Sequence, residues 1–183
     1  GLVGSEMCIR DSYFYVWSHR KNIGTPLDTG SMLMIAEFDP VHPERLISEP
    51  KCLSRPLYGF ENTEHTINNE GPYAFYYHNK IYLAYSGGDA RGYLYAIGML
   101  TANDGDDLCD LSVWEKAKTP IASFATIPGE YGPGHNSFFW DRDQNLWIAY
   151  HAVTSFEEKI VSSGMRRVYF EQDKTPRFDV IVE

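Results

Sequence analysis

Short apolar segments separated by turn residues dominate the pattern along this chain. The clearest segments are residues 13–18, 81–85 and 146–150, and turn-forming pairs such as Gly87-Gly88 stand between them. Short strands with turns roughly every 8–12 residues are typical of all-β sandwiches, barrels and propellers. Since no long stretch has the period of a helix, folds that alternate strands with helices are disfavoured.

The apolar segments recur as an internal repeat. Residues 81–85 align with residues 146–150 at an offset of 65, and residues 13–18 align with residues 81–86 at an offset of 68. A unit of this length that contains about four strands is typical of a propeller blade. Propellers close with about four to eight blades. The chain is therefore either a fragment or an incompletely closed propeller, and we favour a fragment.

The first twelve residues do not fit this pattern. Residues 1–12 show neither strand alternation nor a helix face, and they resemble a translated adapter sequence. We therefore treat residues 1–12 as a non-native tail and leave them out of the fold prediction. Residues 13–183 are assigned to one partial propeller domain.

Composition and charge narrow the function classes. Aromatic residues make up 15% of the chain, which suits both β-strands and stacking on sugar rings. The net charge is −9 and no basic stripe is present, so nucleic-acid binding is not expected. An acidic surface is compatible with a neutral polysaccharide or a cation. No apolar run reaches the roughly 18 residues of a membrane span, and the N-terminus does not have the pattern of a signal peptide.

Two turn motifs carry candidate chemistry. Glu70 precedes a predicted strand in the turn Asn69-Glu70-Gly71-Pro72, where it is either a general acid with a raised pKa or an ordinary solvated carboxylate. His135 occupies the equivalent place in the next repeat, within the Gly/Pro turn of residues 132–138. Both side chains are expected to point toward the same axis, where His135 is a metal or sugar ligand, or else a loop cap.

Two further positions are weaker candidates. His151 ends the strand of residues 146–150, where it either lines the channel or satisfies backbone groups, and we favour the second role. The pair Arg166-Arg167 either presents a guanidinium to a carboxylate or sugar, or is a surface pair.

With these motifs assembled, the chain resembles glycoside hydrolase family 43 from residue 13 to about residue 180. The resemblance is carried by residues 67–72, 78–86 and 131–138. It implies a five-bladed β-propeller, of which this chain holds about the last three blades. It also implies an inverting glycosidase with Glu70 as general acid. His135 would be the histidine of the active-site channel, often beside a calcium ion, so calcium is a candidate cofactor.

Inverting hydrolysis in this family also needs an Asp base and an Asp that tunes the pKa of the acid. Neither can be assigned in this sequence. The base belongs to the first blade, and the tuning Asp is expected near residue 2, while Asp11 stands too close to the strand that follows it. We therefore expect the 183-residue chain by itself to be inactive.

Substrate preference is indicated by residues 53–61, which resemble the segment before the acid in arabinofuranosidase-like members. We expect Tyr58 and Phe60 to shape the subsite and Asn69, His135 and Arg167 to contact the sugar. The alternatives are a β-xylosidase and a non-catalytic carbohydrate-binding propeller; a fructan hydrolase is disfavoured by the turn of residues 132–138. A polysaccharide or oligosaccharide is the expected partner, and a secreted or periplasmic location is weakly favoured for a full-length parent.

Overall fold

The structure, a computed structural model, describes residues 4–9 by their backbone and residues 12–157 and 160–179 with their side chains. Almost all regular structure in these residues is β. The strands are β1 (Gly4–Ile9), β2 (Ser12–Arg20), β3 (Ser31–Phe38), β4 (Lys51–Ser54), β5 (Asn62–Thr63), β6 (Thr66–Ile67), β7 (Asn69–Tyr77), β8 (Lys80–Gly87), β9 (Ala96–Asn103), β10 (Glu115–Lys116), β11 (Tyr131–Trp140), β12 (Leu146–Val153), β13 (Val161–Arg167), β14 (Tyr169–Phe170) and β15 (Pro176–Arg177).

Two short 3-10 helices, Gly59–Glu61 and Leu111–Val113, interrupt the connections between strands. Within the described residues, no helix has the length and apolar character needed to cross a membrane. Because strands make up almost all of the regular structure, the prediction of an all-β chain is confirmed.

Among the described residues, three larger antiparallel sheets follow one another along the chain, and the pairs β5-β6 and β14-β15 form two small sheets beside them. The first sheet has the order β1-β2-β3-β4, the second β7-β8-β9-β10 and the third β11-β12-β13. The three segments aligned by the sequence repeat fall in β2, β8 and β12, each the second strand of its sheet. The leading strands lie side by side, because β7 contacts both β1 and β11.

Part of the N-terminal segment that we left out of the fold prediction forms a strand. We treated residues 1–12 as a non-native tail without strand alternation, whereas β1 pairs with β2 from Gly4 opposite Trp17 to Ile9 opposite Ser12. The backbone groups of an edge strand can pair without a particular side-chain pattern, which explains why alternation gave no signal here. The predicted place of the pKa-tuning Asp, near residue 2, lies outside the described residues.

The middle sheet is buried on both faces. In β8, Ile81, Leu83 and Tyr85 pack into a cluster shared with the first sheet, while Tyr82 and Ala84 pack into a second cluster shared with the third sheet. A strand covered on both faces shows a continuous apolar run, as in the sequence of β8. The two clusters hold the three sheets together, so the start of β7 is fixed between its neighbours.

A tyrosine lies over a glycine at the same place in two of the sheets. Tyr85 is opposite Gly98 on β9, and Tyr150 is opposite Gly164 on β13. A Cβ atom on Gly98 would lie 2.4 Å from Tyr85 Cζ, and one on Gly164 would lie 2.7 Å from Tyr150 Cζ. Each ring therefore occupies the space that a side chain would need.

This contact predicts the effect of Gly98→Ala. The added methyl group meets a fully buried aromatic ring, so we expect overpacking to lower the free energy of unfolding by about 1–3 kcal/mol. Urea unfolding of the 183-residue chain measures the change. Gly59→Ala is the matched control, because a Cβ atom there meets nothing within 4 Å. Equal stability of the two variants would contradict the packing described.

Candidate active site

Glu70 lies at the start of β7 with its side chain half-buried. The pairing of β7 with β8 shifts register between Glu70 and Tyr73, and Gly71 within the shift has a φ of +56°. Such a bulge redirects a side chain relative to the regular strand. The Tyr95 hydroxyl donates a hydrogen bond to Glu70 Oε1 at 2.8 Å. This bond fixes one of the two carboxyl oxygens.

His135 lies beside Glu70, as the sequence repeat predicted. It has a φ of +51°, and its backbone N–H donates to Ser86 Oγ at 2.7 Å. Ser86 is the residue opposite Glu70 in the β7–β8 pair. Residues 69–72, which we predicted to form a turn, begin β7. A Cβ atom on Gly71 would lie 3.5 Å from His135 Nδ1, so glycine lets the imidazole approach this part of the strand. The structure therefore brings Glu70 and His135 together across neighbouring sheets.

His151 belongs to the same group of side chains, although we favoured a purely structural role for it. Its ring stacks on Tyr95 with centroids 5.5 Å apart, and it lies 6.4 Å from the His135 ring. Burial lowers the pKa of His151, and the nearby His135 adds to this effect. A neutral imidazole is therefore favoured at this position.

Tyr95 is the site residue that sequence reasoning missed. It is completely buried, and burial, followed by the charge of Glu70, raises the pKa of its hydroxyl, so it stays a hydrogen-bond donor. A Cβ atom on Gly134 would lie 2.0 Å from Tyr95 Cε1. Residues 132–138, which we predicted to form a turn, lie within β11, and Gly134 in this strand makes room for the ring. Gly134 is the sequence feature that could have pointed to a bulky neighbour, but Tyr95 is too remote from it in sequence to be identified in that way.

A buried carboxylate lies directly behind the site. Glu61 has no solvent exposure, and its Oε2 accepts the Tyr58 N–H at 2.8 Å. Its Oε1 accepts from Asn69 Nδ2 at 2.9 Å and from the Tyr85 hydroxyl at 2.7 Å. Lys116 Nζ forms an ion pair with the same oxygen at 2.5 Å. We call these five residues the Glu61 network.

Lys116 reaches the Glu61 network from β10. Burial lowers the pKa of Lys116, while hydrogen bonding to Glu61 opposes that change. The ammonium group also lies 5.0 Å from the Tyr58 ring centroid and 5.3 Å from that of Tyr85. Buried charges are tolerated when they are paired and hydrogen-bonded in this way.

The third sheet contains a similar arrangement. Tyr150 donates its hydroxyl hydrogen to Glu130 Oε2, and Arg166 Nη2 donates to Glu130 Oε1 at 2.8 Å. Arg166 Nε also donates to the Tyr150 hydroxyl at 2.7 Å. A carboxylate before the leading strand, a tyrosine on the second strand and a cation from the outer part of the sheet thus meet in both units.

The remaining predicted sugar ligands lie in other surroundings. Asn69 is completely buried in the Glu61 network, so it supports the start of β7 rather than facing an open surface. Tyr58 and Phe60 are partly buried, Tyr58 against Lys116 and Phe60 against the core. Arg167 is exposed opposite Trp147, at the end of the third sheet away from Glu70. The structure does not bring Arg167 to this site.

Calcium beside His135 stays a prediction. Calcium prefers six to eight oxygen ligands. Across the described residues, no group of three or more His, Cys, Asp or Glu side chains is arranged to hold a metal. No catalytic step is therefore derived through calcium.

The Glu61 network predicts a large effect of Lys116→Met. Removing the ammonium leaves a buried carboxylate without its ion-pair partner, which is expected to lower the free energy of unfolding by about 3–5 kcal/mol. Arg20→Met is the control, since Arg20 pairs with Asp28 at the surface with 39% of its side chain exposed. Denaturant unfolding compares the two. A change no larger than that of Arg20→Met would contradict the role of the network.

His151 predicts a pH dependence of stability. Its folded pKa lies below the ordinary value of 6.5, so the unfolded chain binds more protons as the pH falls below that value. The native state therefore loses stability from about pH 6.5 downward until the folded pKa is passed. Between pH ~7.5 and pH ~5 we expect the wild type to lose more stability than His151→Gln, which cannot titrate. Parallel curves of stability against pH for the two proteins would show that folding does not shift the pKa of His151.

Comparison with known proteins places this geometry in a family. The model described as "Glycosyl hydrolases family 43" matches residues 9–176. The extracellular exo-α-(1→5)-L-arabinofuranosidase of Streptomyces avermitilis is 29% identical over 163 residues, which cover 85% of this chain and 33% of that protein. The enzyme of the same name from Streptomyces chartreusis is 33% identical over 144 residues, which cover 78% of this chain and 42% of that protein.

A solved structure agrees with these relatives. The crystal structure of the α-L-arabinofuranosidase from Lactobacillus brevis superposes with a TM-score of 0.82 at 27% identity, over 96% of this chain and 55% of that one. The chain thus spans about a third to two-fifths of the length of the two curated relatives. Because the family model covers most of its residues, the chain belongs to glycosyl hydrolase family 43.

Proposed function

We propose that this chain is the acid-bearing part of an inverting glycoside hydrolase that removes arabinose from plant polysaccharides or oligosaccharides. The observation that carries the proposal is the position of Glu70. Its half-buried carboxyl lies at the start of β7, accepts a hydrogen bond from the buried Tyr95 and is flanked by His135. Family membership and the names of the curated relatives support the arabinofuranosidase assignment.

We propose that the three sheets are consecutive blades of a five-bladed propeller. Partly exposed apolar side chains on the first and third sheets support this. On the first sheet, Tyr15 and Trp17 are only half-buried, whereas the alternate residues Phe14 and Val16 are buried. On the third sheet, Met165 is 62% exposed. Faces with this apolar character are suited to packing against further blades.

In the proposed mechanism Glu70 protonates the leaving oxygen of the scissile bond. Because Oε1 accepts a hydrogen bond from Tyr95, Oε2 is the oxygen that carries the transferable proton. An inverting enzyme also needs a base about 6.5–9.5 Å from the acid, which activates water on the opposite face of the sugar. That base and the pKa-tuning Asp are not assigned to any residue of this chain. The 183 residues alone are therefore proposed to be inactive.

Two alternatives remain distinct from this proposal. A β-xylosidase would use the same acid on a different pentose. A non-catalytic carbohydrate-binding propeller would bind the sugar without cleaving it. A secreted parent is proposed because both Streptomyces relatives are named extracellular.

A chimera tests the role of Glu70. Residues 9–176 replace the matching segment of the Streptomyces chartreusis arabinofuranosidase, which supplies the rest of that protein. We expect hydrolysis of α-1,5-linked arabinotriose, and a loss of about 10²–10⁴-fold in kcat for Glu70→Gln. The loss should be smaller for nitrophenyl arabinofuranoside, because nitrophenolate departs without protonation. Loss of equal size on both substrates would contradict a general-acid role.

Two controls accompany the chimera. Glu64→Gln removes an exposed carboxylate at the same end of the molecule and should leave kcat unchanged. The 183-residue chain alone should not hydrolyse nitrophenyl arabinofuranoside or xyloside. Turnover by that chain which Glu70→Gln abolishes would overturn the proposed need for carboxylates outside it. Faster hydrolysis of xylosides than arabinosides by the chimera would favour the xylosidase.

A further inference from the structure

Three aromatic rings form a cluster at the same end of the sheets as Glu70. The ring centroids of Tyr131 and Phe156 are 4.0 Å apart, those of Tyr93 and Phe156 are 4.6 Å apart, and those of Tyr93 and Tyr131 are 6.1 Å apart. The Tyr93 hydroxyl donates to the backbone oxygen of Phe156 at 3.1 Å. We call Tyr93, Tyr131 and Phe156 the rim cluster.

The rim cluster is joined to the candidate active site through the backbone. Tyr93 precedes the buried Tyr95 by two residues, and Tyr131 precedes His135 by four. The N–H of Gly132 donates to the oxygen of Tyr93 at 2.8 Å, which ties the two segments together. Phe156 comes from the connection between β12 and β13, one strand further out than the leading strands. The cluster therefore lies outward from Glu70 at the same end.

Part of the aromatic surface of the rim cluster is exposed to solvent. Phe156 is 55% exposed, and Tyr93 and Tyr131 are only partly buried. Planar aromatic faces with a hydroxyl at the edge suit an amphipathic partner, since the ring contacts apolar C–H groups while the edge forms hydrogen bonds. A furanose or pyranose ring has this character. If the rings served only to hold the loop after β12 in place, their mutual contacts would be enough. The exposed ring surface would then have no role.

We propose that the rim cluster is a binding subsite for a pentose unit of the substrate chain beyond the bond at Glu70. This inference rests on the proposed function, because the ligand is the remainder of the same oligosaccharide. We expect a free monosaccharide at the position next to Glu70 to leave the rim cluster unoccupied. The subsite therefore contributes to binding of oligosaccharides and not of single sugars.

Titration calorimetry of the 183-residue chain tests this with L-arabinose, α-1,5-arabinotriose and xylotriose. We expect Phe156→Ala to weaken arabinotriose binding about threefold to tenfold and to leave arabinose binding unchanged. Phe156→Trp should retain the oligosaccharide affinity because it restores an aromatic face. Phe139→Ala is the matched control, since Phe139 is 40% exposed on the same sheet at the end away from Glu70.

The outcomes separate this proposal from the proposed function. Unchanged affinity for both arabinotriose and xylotriose in Phe156→Ala, equal loss for arabinose and the oligosaccharides, or no oligosaccharide binding by the wild type would each overturn the subsite. A loss confined to xylotriose would support the subsite with a xylan chain as its ligand. Binding is measured without hydrolysis, so a chimera without glycosidase activity would reject the catalytic role of Glu70 independently of these affinities.

Discussion

The buried carboxylate of Glu61 is the constraint on which the rest of this structure depends. A charge without solvent exposure is stable only if donors satisfy both of its oxygens, and the donors here come from separate parts of the chain. Tyr85 belongs to β8, Lys116 to β10 and Asn69 to the first position of β7. Meeting this requirement fixes the start of β7. Asn69 is held inside, and its neighbour Glu70 stays half-buried beside His135.

A similar, partly buried ion pair in the third sheet fixes the strand that carries His135. Glu130, Tyr150 and Arg166 anchor the start of β11, and His135 follows a few residues later. Two similarly anchored strands therefore present an acid and an imidazole to one another, with Ser86 and Tyr95 between them. In the first sheet, Trp17 takes the place of the tyrosine and faces Met34, so the described part of that sheet offers no hydroxyl at this position.

Local patterns in the sequence were sufficient to predict the sheets and part of the site. The aligned segments identified β2, β8 and β12, and the equivalence of Glu70 and His135 in the repeat predicted their proximity. The Glu61 network could not be predicted, because Glu61 and Lys116 are far apart in sequence and nothing local marks a buried ion pair. Asn69 was assigned to the sugar for the same reason: its partner Glu61 was unknown. The recurring glycines opposite Tyr85 and Tyr150 were a signal that repeat alignment could have used.

The most direct measurement is a crystal structure of the Glu70→Gln chain with α-1,5-arabinotriose bound. If the start of β7 presents an acid to the substrate, a glycosidic oxygen will lie within about 3.2 Å of the side chain of residue 70, with Tyr95 still bonded to it. An oligosaccharide bound at the opposite end of the sheets, or with every glycosidic oxygen beyond hydrogen-bond reach of residue 70, would contradict this account.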